Sequence, residues 1–180
     1  MIATVILISL VVIVGIYIFN TQRSLVDLDE KANNAFKQIS VQTTSRFDAV
    51  LTLVRQAEKF AGHEKGTLID VISVRSGNPG SPAEVREMEN QMGQAMRQIM
   101  VLQEQYPNLK SDQLFLEAMS TAKEYEEKVR LSRMIYNDSV TKINRMVRQW
   151  PSSFVAGLLK FGLREYLETD KQKEEYPPVN

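Results

Sequence analysis

IATVILISLVVIVGIYIF, residues 2–19, is a run of eighteen residues without a charged side chain. An α-helix rises about 1.5 Å per residue, so this run covers roughly 27 Å, close to the thickness of the hydrocarbon layer of a bilayer. The run is apolar on every face, which argues against a buried helix of a soluble core. We therefore predict that residues 1–20 form a transmembrane anchor.

A cleaved signal peptide is the alternative interpretation of this run. It would need a basic region before the apolar residues and a small-x-small cleavage site after them. Only Met1 precedes the run, and NTQRSLVDLDEK (residues 20–31) follows it. These flanks favour an uncleaved anchor.

The helix of the anchor is predicted to continue beyond the apolar run. No Gly or Pro occurs from residue 17 to residue 61. Apolar or small residues recur there every 3.6 residues on average, the period of one helical face: Leu25, Leu28, Ala32, Ala35, Ile39, Thr43, Phe47, Val50, Val54, Ala57 and Ala61. We expect one long helix that ends near Gly62.

The rest of the chain has the spacing of further helices. A short helical piece is predicted in EKGTLIDVISVRS (residues 64–76), and SGNPGSP (residues 76–82) is predicted to be a loop. From residue 83 to residue 105, apolar residues alternate in steps of three and four: Val85, Met88, Met92, Ala95, Ile99 and Leu102.

A second long helix is predicted at residues 112–149. Tyr106-Pro107 interrupts the preceding helix, because a residue before Pro is pushed out of helical space. Ser111 or Asp112 can cap the new helix, and Trp150-Pro151 ends it for the same steric reason. Its apolar face comprises Phe115, Ala118, Ala122, Tyr125, Val129, Ser132, Tyr136, Val140, Ile143 and Val147.

These segments predict an all-α protein. A single N-terminal transmembrane helix continues into an antiparallel, coiled-coil-like bundle of about four long helices, which occupies residues 21–167. No segment alternates with period two for long enough to be a strand. Residues 168–180 form a polar tail that we expect to be disordered.

Two apolar features leave alternatives open. Met88, Met92, Met96 and Met100 form a row four residues apart, which is typical of a core seam and is also suited to an adaptable docking surface. The short apolar segment at residues 152–167 is too short to span a membrane. It can pack on the end of the bundle or lie along the bilayer surface.

Composition excludes several classes of function. The 22 basic residues balance the 22 acidic ones, so no basic face points to a nucleic-acid partner. Cys is absent and His63 is the one histidine, which removes the usual thiolate and imidazole metal sites and most nucleophilic triads. No phosphate-binding, dinucleotide or hydrolase motif occurs. We expect no cofactor, no metal and no enzymatic activity, with a carboxylate-only site as a remote alternative.

Polar residues on the predicted helices are the candidate structural or interaction residues. Arg46 and Asp48 flank Phe47 on the first helix and could reach a facing helix, and Glu124, Glu126 and Glu127 lie near the core face of the second long helix. Asn137 and Asn144 are seven residues apart, two helical turns along one face. Their amides could bond a facing helix, such as the one that bears Arg46 and Asp48, and we predict a structural polar layer there. His63-Glu64 is predicted to form a helix-end cap or salt bridge.

With these residues in view, the sequence resembles the LemA family of bacterial membrane-anchored proteins. The resemblance is carried by the order and spacing of short motifs: Ala35, Ile39, Gln42, Arg46-Phe47-Asp48, Leu53-Val54, His63-Glu64, Tyr106-Pro107, Leu109-Lys110, Phe115, Arg133, Tyr136-Asn137, Val140, Asn144 and Pro151-Ser152. It implies one N-terminal transmembrane helix, a helical bundle and no established activity. The family commonly has a Pro where this chain reads DAVLTL (residues 48–53), so a kink in the first helix is not expected here.

The expected function is that of a non-enzymatic scaffold or interaction protein of the bacterial envelope. Arg23, Lys31 and Lys37 follow the anchor, which by the positive-inside tendency places the N-terminus outside and the bundle in the cytoplasm, at the inner membrane. The expected partners are the lipid bilayer and further copies of the chain. An accessory role for a membrane protease or another envelope protein, as part of an envelope stress response, is the alternative.

Overall fold

The computed structural model describes residues 1–61 and 77–167, and every regular element in these residues is helical. The elements follow in the order α1 (Ile2–Ala61), α2 (Pro82–Gln105), a 3-10 turn (Pro107–Ser111), α3 (Gln113–Arg148) and α4 (Ser152–Leu158). The predicted all-α fold with a long apolar N-terminal helix is therefore confirmed. The helical piece predicted at residues 64–76, the helix end at Gly62 and the polar tail at residues 168–180 lie outside the described residues.

The α1 helix runs without interruption from the apolar segment into the polar part of the chain. It also continues unbroken through residues 48–53, where the expected Pro of the family is missing. The predicted face is buried at nine positions: Leu25, Ala32, Ala35, Ile39, Thr43, Phe47, Val50, Val54 and Ala57. Periodicity of 3.6 residues therefore identified the packed side of this helix.

The first part of α1 has the length and composition of a membrane-spanning helix, and no other helix in the described ranges has both. Its apolar side chains are exposed in the isolated chain. The two aliphatic hydroxyls within it bond back to the helix, because Thr4 Oγ1 donates to the Met1 carbonyl at 2.6 Å and Ser9 Oγ donates to the Val5 carbonyl at 2.8 Å. Neither hydroxyl would therefore enter a bilayer without a partner.

The chain divides into two compact units that share α1 and α3. Unit 1 contains Met1–Ala35 and, from residue 134 onward, the end of α3, α4 and the extended segment that follows. Unit 2 contains Phe36–Arg133, and so the second part of α1, α2 and the first part of α3.

Unit 2 is built around an apolar core. The predicted face of α2 is buried at every position: Val85, Met88, Met92, Ala95, Ile99 and Leu102. All of these side chains except Val85 cluster with Phe47, Leu53 and Phe115 from the two neighbouring helices. Of the methionine row, Met88 and Met92 are buried, Met96 is partly buried against the core, and Met100 is exposed. Most of the row is thus a core seam.

Two hydrogen-bond signals determine where α2 and α3 begin. Ser81 Oγ accepts from the Glu84 N–H at 3.2 Å, while the Glu84 carboxylate accepts from the Gly80 N–H at 2.9 Å and from Ser81 Oγ. This reciprocal arrangement is a capping box followed by Pro82 at the first helical position. Asp112, one of the two predicted caps, accepts from the Phe115 N–H at 2.8 Å.

The ends of α3 and α4 turn the chain back along α3. The α3 helix ends at Arg148, as Trp150-Pro151 predicts, and the peptide bond between these two residues is cis. At the end of α4, the Phe161 N–H donates to the Ala156 carbonyl and the Lys160 N–H donates to the Gly157 carbonyl. This pair of bonds is a Schellman motif, with Lys160 in the left-handed conformation (φ 59°) that Gly more often occupies. Residues 161–167 then leave α4 without regular structure.

Candidate functional site

Two asparagines on α3 bind the backbone of residues 161–167. The Asn144 amide donates to the Arg164 carbonyl at 2.9 Å and accepts from the Arg164 N–H at 2.8 Å. The Asn137 amide does the same with Leu167, at 2.8 Å and 3.0 Å. Each side-chain amide therefore pairs with one residue as a neighbouring β-strand would. We call these four residues the asparagine clasp.

The spacing of the clasp follows from the geometry of a helix and an extended chain. Asn137 and Asn144 are seven residues apart on a helix, which is about 10.5 Å along its axis. Arg164 and Leu167 are three residues apart, and three residues of chain reach at most about 10–11 Å. The two repeats match, so both amides meet a backbone N–H and C=O of the same segment.

The same segment is held by further side chains of unit 1. Tyr136 Oη donates to the Glu165 carbonyl at 3.0 Å, and burial raises the pKa of this phenol. The Arg164 guanidinium donates to Asn33 at 3.0 Å and pairs with Asp29 at 2.5 Å, both on α1. Leu167 is fully buried. Residues 164–167 thus join α3 to α1 within this unit.

The two asparagines bond a different part of the chain from the helix suggested as an example. Instead of a facing helix such as the one that bears Arg46 and Asp48, they bond residues 164 and 167. The reason is that an amide can satisfy a donor and an acceptor at once only on an extended backbone, because the N–H and C=O groups inside a helix already bond each other.

In unit 2, charged side chains form two cross-helix pairs. Arg46 on α1 pairs with Glu126 on α3 at 3.1 Å. Arg133 on α3 pairs with Glu89 on α2, and both of these side chains are largely buried. One further bond joins α1 and α3, from Ser132 Oγ to the Gln42 amide oxygen at 2.9 Å. Arg46, one of the two residues that could reach a facing helix, thus contacts α3.

The order of these pairs sets the direction of the helices. Moving along α3 from Glu126 to Ser132, the partner on α1 moves back from Arg46 to Gln42. The two helices are therefore antiparallel. Glu124 and Glu127, which we placed near the core, instead pair with Lys128 and Arg130 on the exposed side of α3.

The structure places the other predicted residues apart from one another. Phe47 is a buried core residue, whereas the Asp48 side chain is exposed. Tyr106 packs against the core and its N–H donates to the Leu102 carbonyl, ending α2, and Pro107 starts the 3-10 turn.

Trp150 is among the most exposed apolar residues, and Pro151 is half-buried before α4. His63 and Glu64 lie outside the described residues.

Among the residues that the structure describes, no group of three or more His, Asp or Glu side chains could hold a metal ion. A surface pocket of about 330 Å³ is lined by Asp29 and residues 159–164, beside the clasp. Hydrogen bonding to Thr141 and Asn144 lowers the pKa of the Tyr166 phenol.

Several structural residues were not among the predicted ones. They are Glu89, Asp29 and Arg164. Their local sequence does not indicate their ion-pair partners, because Glu89 is 44 residues from Arg133 and Asp29 is 135 residues from Arg164. The capping box is different, because Ser81-Pro82-Ala83-Glu84 carries its S-x-x-E signature in the sequence itself.

This fold and these contacts define an all-helical protein with a helix suited to crossing a membrane. A model of the LemA family matches residues 35–180, which is more than half of the chain. The chain belongs to the LemA family.

Two curated relatives match a shorter stretch. The chain is similar to magnetosome protein MamQ 2 and magnetosome protein MamQ 1 of Paramagnetospirillum magneticum, each 28% identical over 76 residues. The match covers 42% of this chain and 28% of each relative, so it spans less than a third of their length. The likeness therefore carries no activity to this chain.

Proposed function

We propose that this protein is a non-enzymatic scaffold of the bacterial envelope, anchored in the inner membrane by residues 1–20 of α1. One observation carries the proposal: the apolar segment and the packed part of α1 are one uninterrupted helix. The packed face already begins at Ile18, within the last turn of the apolar run, and continues with Thr21 and Leu25. A helix built in this way joins the anchor directly to the packed part of α1, without a linker.

The orientation follows from charge. Arg23, Lys31 and Lys37 lie within eighteen residues after the end of the apolar run at Phe19. The positive-inside tendency then places the N-terminus outside and the helical units in the cytoplasm. Protease protection of right-side-out and inverted vesicles tests this, because only inverted vesicles should expose residues beyond the anchor.

Self-association is the interaction we propose first. Leu131, Met134 and Ile135 are exposed large apolar residues on one side of α3, spaced three and four residues apart. Exposed apolar groups of this kind are typical of surfaces that bind another protein. Size-exclusion chromatography with light scattering in detergent tests the proposal, with a Leu131→Gln/Ile135→Gln variant as the comparison. A full chain that is strictly monomeric and yields no crosslinked species contradicts it.

An accessory role for a membrane protease is the second candidate. Met100 and Val101 are exposed near the C-terminal end of α2 and could contact a partner helix. Only Met100 of the methionine row is available for this, which makes the surface small. Unchanged turnover of every envelope protein in cells lacking this chain would contradict the role.

A carboxylate-based enzyme remains the remote candidate. Glu126 is the most plausible carboxylate, but it is engaged by Arg46. Metal analysis of the purified protein, together with Glu126→Gln and Asp48→Asn variants, tests this candidate.

A further inference from the structure

An apolar stripe lies at the end of unit 1 where α3 turns into α4. Phe154 and Leu158 are four residues apart on α4, and Trp150 lies in the turn just before this helix; the three side chains are 71%, 69% and 81% exposed. On the other side of α4, Val155 and Ala156 are buried. The short helix therefore has one face packed on unit 1 and one large apolar face turned outward. We call Trp150, Phe154 and Leu158 the Trp150 stripe.

The contacts of Arg164 set the height of this stripe along α1. Arg164 is bound by Asn144 on α3 and by Asp29 on α1, so these two residues lie at one level. Trp150 follows Asn144 by six residues, about 9 Å along α3. Asp29 follows the end of the apolar run at Phe19 by ten residues, about 15 Å along α1.

Because α1 and α3 are antiparallel, these two lengths run in the same direction, towards the anchor. The length from Asp29 to the end of the apolar run is about 15 Å, and the length from Asn144 to Trp150 is about 9 Å. Trp150 therefore lies about 6 Å from the level at which the apolar run ends. The headgroup layer on each side of the hydrocarbon is about 5–8 Å thick. The half-buried Ile18 agrees with this height, because the rest of unit 1 must reach the last turn of the apolar run to cover it.

The charges around the stripe fit the same location. Residues 139–164 contain five basic side chains and no acidic one: Lys142, Arg145, Arg148, Lys160 and Arg164. Arg145, Arg148 and Lys160 are exposed, as is Arg23 on α1. Basic side chains beside a membrane anchor are attracted to anionic lipids, and Trp is enriched at the membrane–water interface.

We propose that the Trp150 stripe inserts into the headgroup layer of the bilayer that α1 crosses, and that it forms a second membrane contact of this chain. The proposal rests on the membrane anchoring proposed above. The contact would limit tilting of unit 1 on the anchor, because two separate points would then be held by the lipid surface. It also accounts for three large apolar side chains that unit 1 leaves exposed.

Trp150 is the only tryptophan in the chain, so its fluorescence reports on this site alone. The full chain is reconstituted in vesicles of phosphatidylcholine with phosphatidylglycerol, in which the acyl chains are brominated close to the headgroup or further down. We expect Trp150 to be quenched more by the shallow bromines than by the deep ones, and to be shielded from acrylamide. Brominated lipid in both leaflets makes the result independent of the direction of insertion.

A matched control moves the fluorophore along the same helix. Asp138 is exposed on α3, twelve residues before Trp150 and so about 18 Å further from the anchor. In the Trp150→Phe/Asp138→Trp variant, we expect quenching by acrylamide and none by brominated lipid. Equal lipid quenching at the two positions, or free access of acrylamide to Trp150, overturns the proposal.

A second variant separates the contact from the anchor. Phe154→Glu/Leu158→Glu changes exposed side chains only, so its thermal unfolding in detergent is expected to match that of the unchanged chain. In vesicles it should lose the shallow quenching of Trp150 while remaining in the membrane after carbonate washing. If the unchanged chain itself is removed by carbonate, the proposed anchoring fails. If it resists carbonate and Trp150 is not quenched, only the second contact fails.

Discussion

Unit 2 and unit 1 join the same two helices by different means. In unit 2, α1 and α3 pack with α2 around fully buried side chains such as Phe47, Met92 and Phe115. In unit 1, α1 and α3 are joined through an extended segment, which Asn137 and Asn144 bind from one side and Asp29 from the other. Unit 2 is held together by close packing of apolar side chains. Unit 1 is held together by hydrogen bonds that form only when each amide meets its own backbone residue.

This difference predicts how each unit responds to substitution. A core of many apolar contacts loses stability in proportion to the volume removed and the cavity left behind. A clasp made of a few hydrogen bonds loses whole bonds at once, and each loss leaves a backbone group without its partner. Substitutions in the two units should therefore differ in size and in how far their effect spreads.

The largest effect is expected in the core of unit 2. Phe115→Ala removes a ring that is fully buried and should lower the free energy of unfolding by about 3–5 kcal/mol. Leu114→Ala is the matched control. Leu114 is next to Phe115 but its side chain is 55% exposed, so this substitution should change stability by no more than about 0.5 kcal/mol. Urea unfolding of the full chain in detergent, followed by circular dichroism, measures both. Similar losses for the two variants would contradict a core at this position.

The buried ion pair of unit 2 should come next. Glu89→Ala leaves the Arg133 guanidinium without its carboxylate inside the helix interface, at an expected cost of about 1.5–3 kcal/mol. Glu87→Ala, two residues away on the exposed side of α2, is the control. The Glu89→Leu/Arg133→Met double variant should be more stable than Glu89→Ala, because an apolar pair of similar volume removes the unpaired charge. If the double variant is instead less stable than Glu89→Ala, the explanation by an unpaired charge is wrong. If it is less stable than the unchanged chain, the ion pair stabilises the fold more than the apolar pair does.

The asparagine clasp should show a smaller and more local effect. Asn144→Ala removes both partners of the Arg164 backbone and is expected to cost about 1–3 kcal/mol. Amide hydrogen exchange of residues 161–167, read by mass spectrometry, should accelerate while exchange in α2 stays unchanged. Asn144→Asp keeps the acceptor and loses the donor, so its stability should lie between that of the unchanged chain and that of Asn144→Ala.

Two comparisons sharpen the test of the clasp. Asn34→Ala changes an exposed asparagine on α1 and should leave the exchange of residues 161–167 unchanged. The Asn137→Ala/Asn144→Ala double variant should cost less than the sum of the two single changes, because one segment detaches in each case. Strictly additive losses would argue against a shared segment.

The same difference explains which parts of the molecule the sequence could predict. The α2 face was predicted completely, because burial against a core leaves a 3.6-residue period that one segment displays by itself. The clasp was predicted only in part. The spacing of Asn137 and Asn144 marked the two residues, but their partners lie in a segment without periodicity, 20 and 30 residues away.

Charge pairs lie between these two cases. Arg46 and Glu126 could each be identified as polar residues close to a predicted core face, and the antiparallel order of α1 and α3 brings them together. Arg133 was marked by the family resemblance, yet its partner Glu89 was not, since nothing within α2 distinguishes Glu89 from the exposed Glu87. Which glutamate of α2 pairs with Arg133 depends on how the helices pack, and the helical period alone does not reveal it.

The smallest expected effect concerns the helix end that opens α2. Hydrogen bonds from the Gly80 N–H and the Ser81 hydroxyl hold the pKa of Glu84 below its ordinary value of 4.5. A carboxyl whose pKa is lower in the folded state stabilises the fold above the ordinary pKa, and this contribution is lost as the pH falls through the folded value. Thermal unfolding of the unchanged chain and of Glu84→Gln should therefore differ at neutral pH and converge in acid.

Ser81→Ala gives the matching comparison from the other side of the capping box. It removes the acceptor of the Glu84 N–H and one donor to the carboxylate, so it should destabilise α2 at all pH values, by about 0.5–2 kcal/mol. The pH dependence attributed to Glu84 should become weaker in this variant but persist, because the Gly80 N–H still donates to the carboxylate. A difference between Glu84→Gln and the unchanged chain that stays constant from neutral to acid pH would show that the charge of Glu84 does not contribute to the cap.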